Sequence, residues 1–355
     1  MSNPFASLFE SLIVRDDDAI RAEIPRLARE EGEEAALLSV TGFAVLGFTP
    51  SQHGKHALLA CVAAFDLLER FPPLSAEILT ECAIYVGQSR PPWTEPPVFN
   101  EPAPDPAFTD PARLHEALAS SDLETAERWL VSVRERDDFA ALFFEAASSF
   151  LDDLGHGLIV AAAVWRLAAR FPPERRFGIL RTALVEWGSA GRGSREKGDS
   201  DAESGDGIRD EQSPRAFERA ERARLAGVLL EAFIAGDGDI VSFHHVALYD
   251  ALLTAIEAGA DPSLFDRVRP FLDLGEVSSS SRSHDREAPA GIGGVEMEPV
   301  SPVYPYARDY AATLQSFSIA DRMRRRFPSI EWDVLPRLAK YNLETSAAFD
   351  EWNFA

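Results

Sequence analysis

The sequence predicts an all-α protein, a multi-helical bundle built from duplicated antiparallel helical hairpins. Apolar residues recur at helical spacing along nearly the whole chain, and no stretch alternates β-branched with polar residues as a half-buried strand would. In addition, HGKHALLACVAAFDLLERFPP at 53–73 recurs in altered form as GHGLIVAAAVWRLAARFPP at 155–173.

The first helix opens on Ser2-Asn3-Pro4, capping residues with proline at the first helical position, and Phe5, Leu8, Phe9, Leu12 and Ile13 follow on one face. The same periodicity predicts helices at Ile20 to Glu30, Glu34 to Leu46, Lys55 to Arg70, Leu74 to Val86, Leu123 to Val133 and Phe139 to Leu151. It continues through His156 to Arg170, Arg175 to Trp187, Ala216 to Ile234, His244 to Ala258, Leu264 to Leu272, Tyr306 to Arg326 and Ile330 to Ala339. Arg-Phe-Pro-Pro at 70–73 and 170–173 ends two of these. Arginine in a last turn suits the negative end of the helix dipole, and a residue before proline is pushed out of the helical region. Phe71 and Phe171 are expected to cover the ends of their hairpins. The same stop returns at Arg326-Phe327-Pro328 with no histidine at the corresponding distance upstream, so it reads as punctuation.

Three segments interrupt the helices. Residues 89–110 hold RPPWTEPPVFNEPAPDP, an extended connection between an N-terminal helical half, 1–88, and a C-terminal half, 111–355. Residues 191–215 are small and charged, and 276–300 are rich in serine, glycine and proline. Both compositions predict mobile insertions, because ordering them would cost entropy with little burial in return. The two halves can pack as one domain.

With 46% apolar residues in 355, the chain can bury a sizeable core. Its 35 basic against 58 acidic residues leave a formal charge of −23, which argues against nucleic acid and anionic membranes as partners. The two cysteines, Cys61 and Cys82, make no metal or disulfide spacing. The N-terminus lacks a basic start and an uninterrupted apolar core, and no apolar run is long enough to span a bilayer, so a cytoplasmic protein is expected.

The chemistry rests on histidines. His53, His56, His156, His244 and His245 lie at the starts of three strongly apolar helices. The positive end of a helix disfavours imidazolium, and a neutral ring is what a metal or a general base requires. Aligning the two Arg-Phe-Pro-Pro stops sets His56 against His156, and a third helix with the same plan starts at His245. If the three helices bundle in register, His56, His156 and His245 converge on a site suited to iron or another borderline metal. Adjacent His244 and His245 point in different directions, so at most one of them faces it. His156 and His245 are the catalytic candidates, with Tyr249 on the same face as His245. Glu145 and Asp250 are the nearest carboxylate candidates, since Asp66 lies roughly 15 Å along the helix from His56.

Gly155-His156-Gly157-Leu158-Ile159, with Val185-Glu186-Trp187 ending the next helix, resembles a segment of the questin oxidase-like family, and Phe243-His244-His245-Val246 resembles its later histidine segment. The resemblance covers about a third of the chain. It implies an oxygenase that opens a polycyclic aromatic ketone in a Baeyer-Villiger-like reaction with NADPH and oxygen. Bacterial relatives carry a second histidine seven residues after the first, where this chain has Ala163. Either the site differs or this member has lost activity.

Two readings follow. One is an oxidoreductase acting on an aromatic or other hydrophobic small molecule at a cluster of histidines. The other is a non-catalytic helical scaffold that binds a protein partner or an apolar ligand. Only the first requires the three rings to converge.

Overall fold

In the computed structural model, the structure describes residues 3–50, 52–89, 99–151, 154–197, 219–235, 240–272 and 304–328, with the side chains of most of them. Among these it is all-α: α1 (Ala6–Val14), α2 (Asp17–Glu30), α3 (Glu33–Leu46), α4 (Gln52–Arg70), α5 (Ser75–Gln88), α6 (Pro111–Ala119) and α7 (Leu123–Arg134), then α8 (Phe139–Ala147), α9 (His156–Arg170), α10 (Pro173–Lys197), α11 (Arg219–Ala235), α12 (Ile240–Glu257), α13 (Leu264–Val268) and α14 (Tyr304–Arg326). The expected helix at Ile330 to Ala339, the insertion at 276–300, most of that at 191–215 and residues 90–98 of the connection at 89–110 lie outside the described residues.

The differences from expectation have local causes. Helix α6 was not anticipated, although its start is well specified: Asp110 accepts from the Ala112 amide at 2.9 Å, and Pro111 takes the first helical position. Helix α10 continues to Lys197, so 191–197 are helical where a mobile insertion was expected. Helices α4 and α12 both start about a turn earlier than their histidine-led apolar runs, so His56 and His244 sit inside them and only His156 is a first residue. At the two stops, Phe171 is buried as expected, whereas Phe71 remains 40% exposed.

The centre of the molecule is a ring of four helices, α4, α9, α12 and α14, each packed on the next. The side-chain pairs between them show that all four run the same way. His56, His156, His244 and Gln315 share one level. Asp66, Arg166, Asp250 and Arg322 share a lower one, and Glu69 pairs with Arg170, and Glu257 with Arg326, lower still. The two helices that the repeat aligns, α4 and α9, thus stand side by side in the register of the repeat.

Around the ring lie the returning helices. Helix α5 packs on α4, α10 on α9 and α11 on α12, while α1, α2 and α3 cover α5, and α6 and α7 cover α10. Helix α4 belongs to the segment before the proline-rich connection and touches α9 and α14 after it, within one continuous apolar core. Cys61 of α4 and Cys82 of α5 are buried in this contact as free thiols, 3.9 Å apart. Its contact with Cys61, with burial adding to it, pushes the Cys82 thiol up, so it stays protonated. No helix among the described residues is long and apolar enough to cross a membrane.

Below the upper level, charges close the ring. Asp66 accepts from Arg166 and from the Ser318 hydroxyl, both at 2.6 Å, and from Arg322. Asp250 accepts from Arg322 Nε at 2.9 Å and from Arg326. Burial opposes the charge on Asp250, but Arg322 and Arg326 outweigh it and hold the carboxyl well below the usual range. Burial, helped by Arg322, brings Arg166 down to about 10, which leaves it charged at neutral pH.

Candidate functional site

The upper level of the ring holds the site. Helix α9 starts at His156 because Gly155 caps it in the left-handed region, at φ +78°. A side chain at Gly155 would also meet a Leu248 methyl at 2.7 Å, and one at Gly157 would meet the Phe150 carbonyl oxygen at 2.1 Å. The glycines on either side of His156 are therefore required by packing. The Gly157 carbonyl accepts the Trp187 indole N–H at 3.0 Å, and Trp187 stacks on Phe150 with ring centres 5.8 Å apart, which fixes the first turn against α10.

Three imidazoles converge there from three helices. One ring nitrogen from each of His56, His156 and His244 lies within 4.8 Å of the others. The His156 and His244 rings are buried with centres 4.7 Å apart, and their Nε2 atoms are 3.1 Å apart. His56 is partly exposed, and its ring stands edge-on to both others at 5.8 Å.

Gln315 of α14 orients His56. Its Nε2 donates to the His56 carbonyl at 3.2 Å, which fixes the amide, because the opposite orientation would set two oxygens against each other. Its Oε1 then lies 3.2 Å from His56 Nδ1 and can only accept, so the proton of His56 sits on Nδ1 and the Nε2 lone pair is available. Between His156 and His244, one Nε2 donates and the other accepts. Burial pushes His56 down to about 3; the neighbouring His156, His244 and Lys55 add to this, and the Gln315 bond only partly offsets it. The ring is neutral at physiological pH. Lys55, the preceding residue, is buried in an ion pair with Glu186 of α10 at 3.0 Å.

The convergence corrects one expected member. His244 completes the group in place of His245, which follows it and points about 100° further round α12. Tyr249 is fully buried and donates its hydroxyl to the Arg222 carbonyl at 2.8 Å, tying α12 to α11. Neither carboxylate candidate reaches the histidines: Glu145 is half-exposed and paired with Arg267, and Asp250 belongs to the charged level below. Gln315 was not anticipated, because nothing in the sequence of α14 marks it. The side chain of His53 lies outside the described residues.

The donors suit a divalent metal. Two nitrogens each bound at about 2.0–2.1 Å in a tetrahedral site would be roughly 3.3 Å apart, close to the His156–His244 spacing, and all three rings can offer a lone pair in their neutral forms. Compared with family models, with curated proteins and with solved structures, the chain matches none.

Proposed function

We propose that this protein is an oxidoreductase acting on an aromatic or other hydrophobic small molecule, with His56, His156 and His244 as its reactive centre. The observation that carries this reading is the convergence of three imidazoles from three separate helices on one largely buried point. A scaffold has no need to bring mutually desolvated rings together, whereas ligation and proton transfer both need it. The resemblance to the questin oxidase-like family supports the oxygenase type, with NADPH and oxygen as co-reactants.

The three nitrogens would hold a divalent metal, and iron, like copper, is an imidazole-compatible ion that supplies redox chemistry. The protein's own part is to keep the His56 proton on Nδ1 through Gln315 and to exclude water around His156 and His244, whose Nε2 atoms would give up the proton they share when a metal binds. Protein purified without an affinity tag is expected to carry near-stoichiometric iron, read by elemental analysis, that is lost in His156→Ala. Zinc in its place would rule out redox chemistry at the metal, and metal-free protein with no oxygen consumption would return the histidines to a structural role.

Gln315→Leu should weaken metal binding by about 10–100-fold, since partners of ligating histidines typically contribute that much. Titration of the chelator-treated protein with ferrous ion measures it. Affinity unchanged by the substitution would remove Gln315 from the site.

A further inference from the structure

Among the described residues, the ring opens at its lower end into a cleft of about 580 Å³, within the roughly 300–1,000 Å³ of small-molecule sites. Its lining is opposite in sign to the chain as a whole. Arg166, Arg170, Arg322, Arg325 and Arg326 line it against Asp66 and Glu257, in a chain of net charge −23.

Part of this positive charge serves the fold. Helices α4, α9, α12 and α14 all end here, and their last carbonyls favour cations. Arg322 and Arg326 are held by Asp66, Asp250 and Glu257 in the ion pairs that close the ring. Arg166 and Arg170 are engaged less fully. They stand four residues apart on one face of α9, and each gives its Nη2 to a carboxylate, Asp66 at 2.6 Å and Glu69 at 2.8 Å. Among the described residues their other guanidinium N–H groups have no acceptor, and both side chains reach solvent, at 24% and 38% exposure. Arg166 also lies a turn before the end of α9, where the helix dipole does not account for it. Burial first, and the charge of Arg322 second, draw it down further than Asp66 and Asp250 restore it, so this guanidinium is short of negative charge.

Beside the two arginines the wall is aromatic. Half-buried Trp165, the residue before Arg166, lines the cleft, and the Arg170 guanidinium lies over the Phe65 ring, 5.4 Å from its centre. Guanidinium groups hold carboxylates through paired hydrogen bonds, and an indole face takes a planar ring.

We infer that the lower cleft binds a small aromatic carboxylate, its anionic group held by Arg166 and Arg170 and its ring against Trp165. The site lies about 15 Å along the helices from the histidines and does not rest on the proposed activity.

Calorimetric titration of the full chain with 2-naphthoate tests it, beside 2-naphthylmethanol, which keeps the ring without the charge, and acetate, which keeps the charge without the ring. 2-Naphthoate should bind at least about tenfold tighter than either, and more weakly as salt rises. Arg166→Gln should weaken it about tenfold. The more exposed Arg170→Gln should weaken it about threefold, and it keeps the test decisive if Arg166→Gln, which disturbs Asp66, fails to fold. Arg128→Gln, at an arginine paired with Glu124 on α7, should leave binding unchanged, as should His156→Ala. 2-Naphthoate bound no tighter than the alcohol or acetate, or a loss in Arg128→Gln equal to that in the cleft variants, would overturn the inference. Loss in His156→Ala with both cleft variants silent would place the carboxylate at the histidines and overturn it equally.

Discussion

Arg322→Ala is expected to lower the free energy of unfolding by about 3–5 kcal/mol, the range for breaking a buried ion pair by removing one partner. Arg322 joins α14 to α4 through Asp66 and to α12 through Asp250, and all three side chains are largely buried. Removing the guanidinium leaves two carboxylates inside the ring. Asp66 keeps Arg166 and Ser318, and Asp250 keeps Arg326, so neither is fully stranded; this places the effect within the range rather than above it. Lysine would not restore it, since one ammonium cannot reproduce the guanidinium's bonds to two carboxylates. The comparison is Arg170→Ala, which breaks the exposed pair with Glu69 and should cost no more than about 1 kcal/mol. Urea unfolding of both variants measures the difference. An Arg322→Ala cost no larger than that of Arg170→Ala would show that the charged level does not hold the ring together.

This level shows what was legible in the sequence and what was not. Asp66 and Arg166 hold equivalent positions in the repeat and pair because α4 and α9 pack side by side in its register, although that pairing was not anticipated. Arg322 could not be read in the same way. Helix α14 carries no histidine at the corresponding level, so nothing local placed it in the ring. Gln315 escaped notice for the same reason, as its value depends on a helix about 250 residues away in the chain.

The choice between His244 and His245 was closer to legible. From His244, steps of three and seven residues reach Ala247 and Ala251, matching Leu59 and Ala63 after His56 and Ile159 and Ala163 after His156. From His245 the same steps reach Leu248 and Leu252, whose bulk suits a face packed against neighbouring helices rather than a cavity. The heptad spacing of residues lining one bundle axis therefore carried the answer, and a pairing made from apolar-run boundaries alone missed it. Helix α6 was missed differently: Asp110-Pro111 is a start signal, but it directly follows a proline-rich run and was read as the end of that connection. Ala163 lines the ring axis beside Ala63 and Ala251, one level below the histidines.

Acid should destabilise the metal-free protein through His56 before the carboxylates titrate. In the folded protein this ring is pushed down to about 3, against an ordinary value of 6.5. Between those values the unfolded chain holds a proton on the ring that the folded protein does not, so stability falls as pH falls. The contribution is fully present above about pH 6.5, declines through the interval and levels off near pH 3. Going from pH 7.5 to 4.5 crosses about two of those pH units, or roughly 2.7 kcal/mol at 1.36 kcal/mol each. Water at the ring's partly exposed edge trims this to about 2 kcal/mol. Asp250, held well below the usual carboxylate range, loses its contribution only as pH falls below about 4, outside the interval. Urea unfolding of chelator-treated protein across this range, beside His56→Gln, isolates the effect, since glutamine keeps a polar partner for Gln315 and cannot titrate. The wild type should lose about 2 kcal/mol more than the variant, and equal losses in the two proteins would mean that His56 is protonated in the folded state and could not offer a lone pair to a metal at those pH values.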